Sequence, residues 1–177
     1  MFVMITEFIV SSLWFILPAY FANAAPVCLK ALKHTHPIDS GRMFSDKRPI
    51  LGKGKTWEGF LFAIFIGCIV GAFQTQFNSK IPHIEIFMTL ELAFILSLGA
   101  MMGDTIASFF KRRLGKKRGE SMFLLDQLDF VIAALVFASA VVVVPIYMWV
   151  ILSIITPLSN YMSNFIAYKL KLKDVWW

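Results

Sequence analysis

The sequence predicts an all-α, polytopic membrane protein with five transmembrane helices and two basic cytoplasmic loops. Three observations carry this reading. Of the 177 residues, 58% are hydrophobic and only 16% charged, more apolar surface than a water-soluble chain of this size can bury. The apolar residues fall into long continuous runs rather than alternating, which argues for helices over a membrane barrel. The basic residues are concentrated in a few short segments, as the positive-inside rule requires of a cytoplasmic face. The same composition excludes disorder, which needs low hydrophobicity and high charge. Two cysteines, Cys28 and Cys68, are too few for a disulfide framework and lack zinc-ligand spacing.

A span needs about 20 mostly apolar residues. The first is expected over Phe8 to Leu29, which carries no charge. Ala22-Asn23-Ala24 has the small residues of a signal cleavage site, but no positive charge precedes Lys30. A secretory signal has a basic leading region, so this helix is expected to be retained. Pro18 and Pro26 are expected to bend it, with Asn23 between them. The second span is expected over Gly59 to Ser79, and the third over Ile86 to Phe110, interrupted only by Glu91 and Asp104. Residues Phe130 to Tyr168 are uncharged and long enough for two spans, with Pro145 marking the joint; the turn carrying Asp126 and Asp129 opens the fourth helix. No internal repeat or low-complexity stretch is present, so residues 1–177 are expected to form one domain.

Orientation follows from the charges. Residues 30–56 hold Lys30, Lys33, Arg42, Lys47, Arg48, Lys53 and Lys55, and residues 111–118 hold Lys111, Arg112, Arg113, Lys116, Lys117 and Arg118. The tail adds Lys169, Lys171 and Lys173, and Lys80 alone falls on the other side. Five spans therefore place the N-terminus outside, and the C-terminus and both basic loops in the cytoplasm.

Ionisable groups within a membrane are costly and mark function by default. Asp104 lies seven residues before Lys111, about 10 Å below the interface at the helical rise. Asp104, Ser108 and Lys111 follow i, i+4, i+7 spacing and share one stripe. Asp126 and Asp129, three apart, share a face at the start of the fourth helix. Three carboxylates on two helices suit a hard divalent cation, which takes oxygen ligands together with substrate phosphates. The cationic loops beside them suit a polyanionic ligand, and the combination fits phosphoryl-type chemistry. Simpler readings stay open: Asp126 as a helix N-cap, Asp104 as an ion-pair partner of Lys111, and the loops as topology signals touching anionic lipid. Glu7 and Glu91 lie near outer helix ends and receive no role.

Gly52-Lys53-Gly54-Lys55-Thr56-Trp57-Glu58-Gly59 has the glycines and lysine of a phosphate-binding loop, yet Pro49 stands where the Walker pattern requires Gly, and no strand precedes it. The loop's glycines still let amides approach phosphates, with Lys55 as a point charge. Thr56 suits the N-cap of the next helix, whose amide end attracts anions. Trp57 fits either base stacking or the interfacial aromatic belt. His34 and His36 do not share a helix face and lack a third ligand nearby, which fits an exposed loop.

Two blocks resemble the CTP-dependent phosphatidate cytidylyltransferase family. Gly54-Lys55-Thr56-Trp57-Glu58-Gly59 resembles its Lys-Thr-Trp-Glu-Gly block. Ser108-Phe109-Phe110-Lys111-Arg112, followed by Leu125-Asp126-Gln127-Leu128-Asp129, resembles its Ser-x-x-Lys-Arg and Leu-Asp-Arg-x-Asp signature. Chain length, span count, Pro37-Ile38-Asp39 and Leu124 to Phe130 resemble the archaeal branch, the CDP-archaeol synthases. Gln127 departs from the bacterial Arg, and Gly119-Glu120-Ser121-Met122-Phe123 replaces a longer Pro-Gly-His-Gly-Gly stretch. The resemblance implies attack of a lipid phosphate on the α-phosphorus of CTP, with 2,3-bis-O-(geranylgeranyl)-sn-glycerol 1-phosphate or a related isoprenoid or acyl glycerol phosphate as acceptor. It implies Asp104, Lys111, Asp126 and Asp129 as catalytic residues, with Mg²⁺ on Asp104, Asp126 and Asp129. It further implies Lys55, Thr56, Glu58, Ser108 and Arg112 as the residues that bind CTP and its phosphates, the lipid tails in an apolar groove between helices, and no nucleic-acid partner. A CTP-dependent polyprenol kinase resembles the same superfamily, and intramembrane acids also suit a small ion or phosphate transporter, although the inverted repeats common in carriers are missing. A CDP-alcohol phosphotransferase lacks support, because its Asp-rich signature is absent.

Overall fold

The computed structural model describes residues 2–31, 36–117, 120, 122 and 125–169. Lys33, His34, Arg118, Gly119, Ser121, Phe123, Leu124, Lys171 and Lys173 lie outside the described residues. The described chain is helical: α1 (Phe2–Ala24), a 3-10 segment (Ala25–Ala31), α2 (Trp57–Thr75), α3 (Leu90–Arg113), α4 (Leu125–Ala138) and α5 (Ile146–Lys169). Three segments, Met4–Leu29, Trp57–Thr75 and Leu90–Arg113, are long and apolar enough to cross a membrane.

Each boundary has a local cause. Thr56 and Thr89 cap α2 and α3, their hydroxyl oxygens accepting from Gly59 N at 3.2 Å and Leu92 N at 3.1 Å. Lys111, Arg112 and Arg113 occupy the last turn of α3, where cations oppose the helix dipole. Pro18 does not interrupt α1, which runs on to Ala24. A proline there cannot donate to the carbonyl of Trp14, and Gln74 on α2 supplies the missing bond, Nε2 to Trp14 O at 2.7 Å. The chain tightens only past Ala24, into the 3-10 segment containing Pro26.

The expected fourth span is shorter than the uncharged run suggests. α4 has 14 residues, about 21 Å of helix against a core of about 30 Å. Turn bonds from Ala140 N to Phe137 O and Val141 N to Ala138 O end it, ahead of four consecutive valines and Pro145, which favour extended backbone.

Helix α3 is the centre, packing against α1, α2 and α4. Its neighbours approach through glycines. A Cβ on Gly67 or Gly71 of α2 would meet Ser97 Oγ at 1.9 Å or Ala93 Cβ at 2.1 Å, and one on Gly103 of α3 would meet the Asp129 carbonyl oxygen at 2.3 Å. Such small-residue stripes are how helices pack where apolar burial gives no drive. Phe15, Ile16, Leu96, Val131, Leu135, Met148 and Leu152 fill the space between α1, α3, α4 and α5.

A basic cleft beside three carboxylates

The end of the bundle formed by the start of α2, the end of α3 and the start of α4 carries the charged residues singled out in the sequence. Residues 36–56 fold over it as a compact loop, held at three levels. At the base, Glu58 in the first turn of α2 accepts from His36 N at 2.9 Å and meets His36 Nδ1 at 2.5 Å, while Trp57 N donates to His36 O at 3.0 Å. Inside the loop, the Asp39 carboxylate accepts from Gly41 N at 3.0 Å, Leu51 N at 2.9 Å and Gly52 N at 2.7 Å. Gly52 has φ +90°, a conformation that favours glycine. Burial pushes the Asp39 carboxyl up, but these amides outweigh it and hold the group below its ordinary range.

At the tip, two arginines clasp the loop to α3. Arg48 Nη1 donates to Arg113 O at 2.6 Å, satisfying a carbonyl at the α3 C-terminus. Arg113 returns the contact, donating to Asp46 Oδ1 at 2.8 Å and to the Pro49 carbonyl. Its guanidinium also lies 4.7 Å from the ring centre of Phe44 and 5.0 Å from that of Phe109.

The clasped loop presents Lys53, Gly54 and Lys55 as a ridge between two cavities. One, about 650 Å³, is lined by Arg48, Lys53, Lys55, Lys111, Arg112, Lys116 and Lys117, with Ser108 at its wall and no acidic side chain. The other, about 450 Å³, is lined by Thr56, Glu58, Asp104 and Thr105 with apolar Pro26, Leu29, Ile38, Phe60 and Met101. A cleft with seven cations and a glycine-containing rim is built for a polyanion.

The acids lie beneath it. Asp104 forms an ion pair with Lys55, and Asp126 with Lys111 at 2.6 Å. Asp126 also accepts from Met122 N at 3.0 Å, so it reaches back across the preceding turn from within α4 and is not the N-cap. Asp104 pairs across to the loop and not with Lys111 on its own helix. Asp129 accepts from Phe130 N at 2.6 Å. Asp129 also borders an open apolar groove of about 630 Å³ between α3 and α4, lined by Ile106, Phe110, Leu128, Ile132 and Phe137 among others.

The structure thus brings together Lys55, Ser108, Lys111 and Arg112 around the cleft, with Asp104 and Asp126 joined to it through lysines, and places Thr56 in the smaller cavity. Glu58 lines the smaller cavity with its carboxylate engaged by His36. Among the described residues no three Asp, Glu, His or Cys side chains converge as a preformed metal cage. The donor set still suits a hard cation: three carboxylates from two adjacent helices, beside the seven-cation cleft. Sequence reasoning passed over Asp39, Arg48 and Arg113 as site-builders. Asp39-Ser40-Gly41 is a readable Asx-turn signal, whereas the arginine clasp joins residues 65 positions apart and leaves no local pattern.

Residues 5–177 match the family model of the CarS-like CDP-archaeol synthases. A CDP-archaeol synthase of Methanocaldococcus jannaschii is 44% identical over 173 residues, covering 94% of this chain and 96% of its own. That of Thermococcus gammatolerans is 45% identical over 166 residues, with 94% and 95% covered. A solved structure of an intramembrane enzyme of archaeal membrane-lipid biosynthesis superposes with a TM-score of 0.75 at 33% identity, over 88% of this chain and 94% of that one.

Proposed function

The chain belongs to the CDP-archaeol synthase family, and from that premise we propose that it transfers the cytidylyl group of CTP to 2,3-bis-O-(geranylgeranyl)-sn-glycerol 1-phosphate. The observation that carries this reading for the site is the seven-cation cleft, two of whose lysines pair with Asp104 and Asp126 at one end of the helices. One oxygen of the lipid phosphate attacks the α-phosphorus of CTP. The bond from that phosphorus to the bridging oxygen breaks, its electron pair leaves on pyrophosphate, and CDP-archaeol remains in the membrane. The nucleophile is already an anion, so no general base is required; the difficulty is bringing two anions together.

The chain's residues address that difficulty. Lys55, Lys111 and Arg112, with the other cations of the cleft, neutralise the triphosphate and the departing pyrophosphate. Thr56 keeps its hydroxyl proton for a phosphate oxygen while its oxygen caps α2, and Ser108 offers a second hydroxyl from the cleft wall. Glu58 acts through His36, holding the base of the loop rather than touching phosphate. The lipid tails lie in the apolar groove between α3 and α4, which brings the lipid phosphate to the level of Asp129. Asp126 and Asp129, with Asp104, would hold Mg²⁺, which would supply positive charge to offset that of the phosphates. All five helices cross the membrane as one domain, α4 together with the turn after it, placing the N-terminus outside and the cleft in the cytoplasm.

Detergent-purified protein given CTP, Mg²⁺ and the dialkyl glycerol phosphate should yield the CDP-lipid by mass spectrometry and equimolar pyrophosphate in a coupled assay. Absence of both, with CDP released on adding a polyprenol, would overturn the assignment in favour of a lipid kinase.

A further inference from the structure

Each of two acids assigned to the cation is held by a lysine that also borders the phosphate cleft. Lys55 pairs with Asp104, their side chains 22% and 23% exposed; Lys111 pairs with Asp126 at 13% and 28%. Both lysines line the seven-cation cleft, so each joins a carboxylate to the place where phosphate oxygens belong. At this depth neither acid is tolerated without a positive partner. A bare divalent cation approaching these carboxylates finds them already neutralised, with two ammonium groups to repel it. A triphosphate entering the cleft changes the balance, because it offers the lysines better partners and frees the acids together.

We propose that Lys55 and Lys111 are internal counter-ions that occupy the cation's charge position until CTP draws them away, so that metal and nucleotide bind synergistically. The inference rests on the cytidylyltransferase reading and adds a thermodynamic coupling to it. Coupling is reciprocal: whatever factor CTP adds to cation affinity, the cation adds to CTP affinity.

The test reads cation binding directly, using Mn²⁺ in place of Mg²⁺ and the EPR signal of free Mn²⁺, with the non-transferable analogue α,β-methylene-CTP. Wild-type protein should bind Mn²⁺ at least about tenfold more tightly with the analogue than without it, after correction for the Mn²⁺ that the analogue holds in protein-free solution, within the usual range for coupled sites. Lys55→Met should gain about tenfold in nucleotide-free Mn²⁺ affinity while losing affinity for the analogue. Lys55→Met/Asp104→Asn removes both charges, guards against a folding defect from an orphaned acid, and should return nucleotide-free binding to the wild-type level or below. Lys111→Met should repeat the gain through Asp126. Equal Mn²⁺ affinity with and without the analogue, or no gain in either lysine variant, would overturn the proposal. Wild-type protein that still makes CDP-lipid while showing either result keeps the function and loses only the coupling. Failure to bind Mn²⁺ under any condition would remove the metal assignment beneath both.

Discussion

Gly103→Ala separates the geometry of the carboxylates from the rest of the fold. Gly103 sits on α3 one residue before Asp104, and a Cβ there would stand 2.3 Å from the Asp129 carbonyl oxygen, 2.6 Å from Ala133 Cβ and 2.9 Å from the Asp129 carbonyl carbon. Two of these atoms are α4 backbone, so no side-chain rotation relieves the contact. Moving from 2.3 Å to the 3.0 Å that real contacts keep requires α4 to retreat from α3 by at least about 0.7 Å. The retreat falls on the turn bearing Asp126 and Asp129, measured against Asp104 and Lys111. A misplacement approaching 1 Å at a reacting centre costs up to about 100-fold in rate, and overpacking costs about 1–3 kcal/mol of stability. The expected result is a kcat lowered roughly 10- to 100-fold at saturating CTP and lipid, together with a lower melting temperature in detergent. Gly71→Ala is the control. Its Cβ would meet Ala93 Cβ at 2.1 Å, between α2 and α3 and near the opposite end of the bundle. It should lower the melting temperature and leave kcat unchanged. Wild-type kcat in Gly103→Ala, or an equal fall in both variants, would refute the reasoning.

Further outcomes follow from single contacts. Asp129→Asn should abolish turnover while the protein stays folded and monodisperse in detergent, and normal activity would sink its place in the cation site. Lys111→Ala should raise the KM for CTP and leave Asp126 without its ion-pair partner, so unchanged CTP kinetics would count against both roles. Arg113→Ala removes the contacts to Asp46 and Pro49, charge-assisted bonds worth about 1.5–3 kcal/mol each. Protease cleavage within residues 36–56 should accelerate, and KM for CTP should rise with kcat nearly constant, the signature of lost uniform binding. The Asp39 carboxyl is held below its ordinary range, so its contribution to the loop is complete above about pH 4 and is lost as pH falls through the depressed value. Loop proteolysis by an acid-active protease should increase in that window for wild type, and Asp39→Asn should remove the dependence.

The sequence was legible where physics acts locally. Continuous apolar runs located all five helices, Thr56 announced the start of α2, and Pro145 marked the approach to α5. The i, i+4, i+7 stripe correctly grouped Asp104, Ser108 and Lys111 on α3, but gave no means of telling that Lys55, 49 positions away, takes Asp104 as its partner. Pro18 leaves α1 continuous, and the carbonyl it cannot reach is satisfied by Gln74 from another helix, a partner that no local pattern announces. The end of α4 was misjudged for a related reason, since hydropathy alone does not distinguish helical from turning valines. The small-residue spacing of Gly67 with Gly71 and Gly99 with Gly103 was open to reading and forecasts where α2 and α4 meet α3. What a one-dimensional pattern withholds is which distant partner each charge finds, because that depends on helices arranged in space.

Both halves of the site take their position from α3. The loop reaches it through Arg48 and Arg113 at the last turn, which fixes the ridge of Lys53, Gly54 and Lys55 over the cleft. Helix α4 reaches it through Gly99 and Gly103, which fixes Asp126 and Asp129 against Asp104. The cations of the cleft and the acidic groups are thus referenced to one rigid element by two independent contacts. Loosening the arginine clasp moves the cations and should fall on nucleotide binding, whereas widening the glycine contact moves the acids and should fall on turnover. Combining Arg113→Ala with Gly103→Ala should therefore give nearly additive losses, because the two contacts share no atoms and act on different steps. Strong non-additivity would mean that loop and helix move as one body, and α3 would then be a hinge between them instead of a common rail.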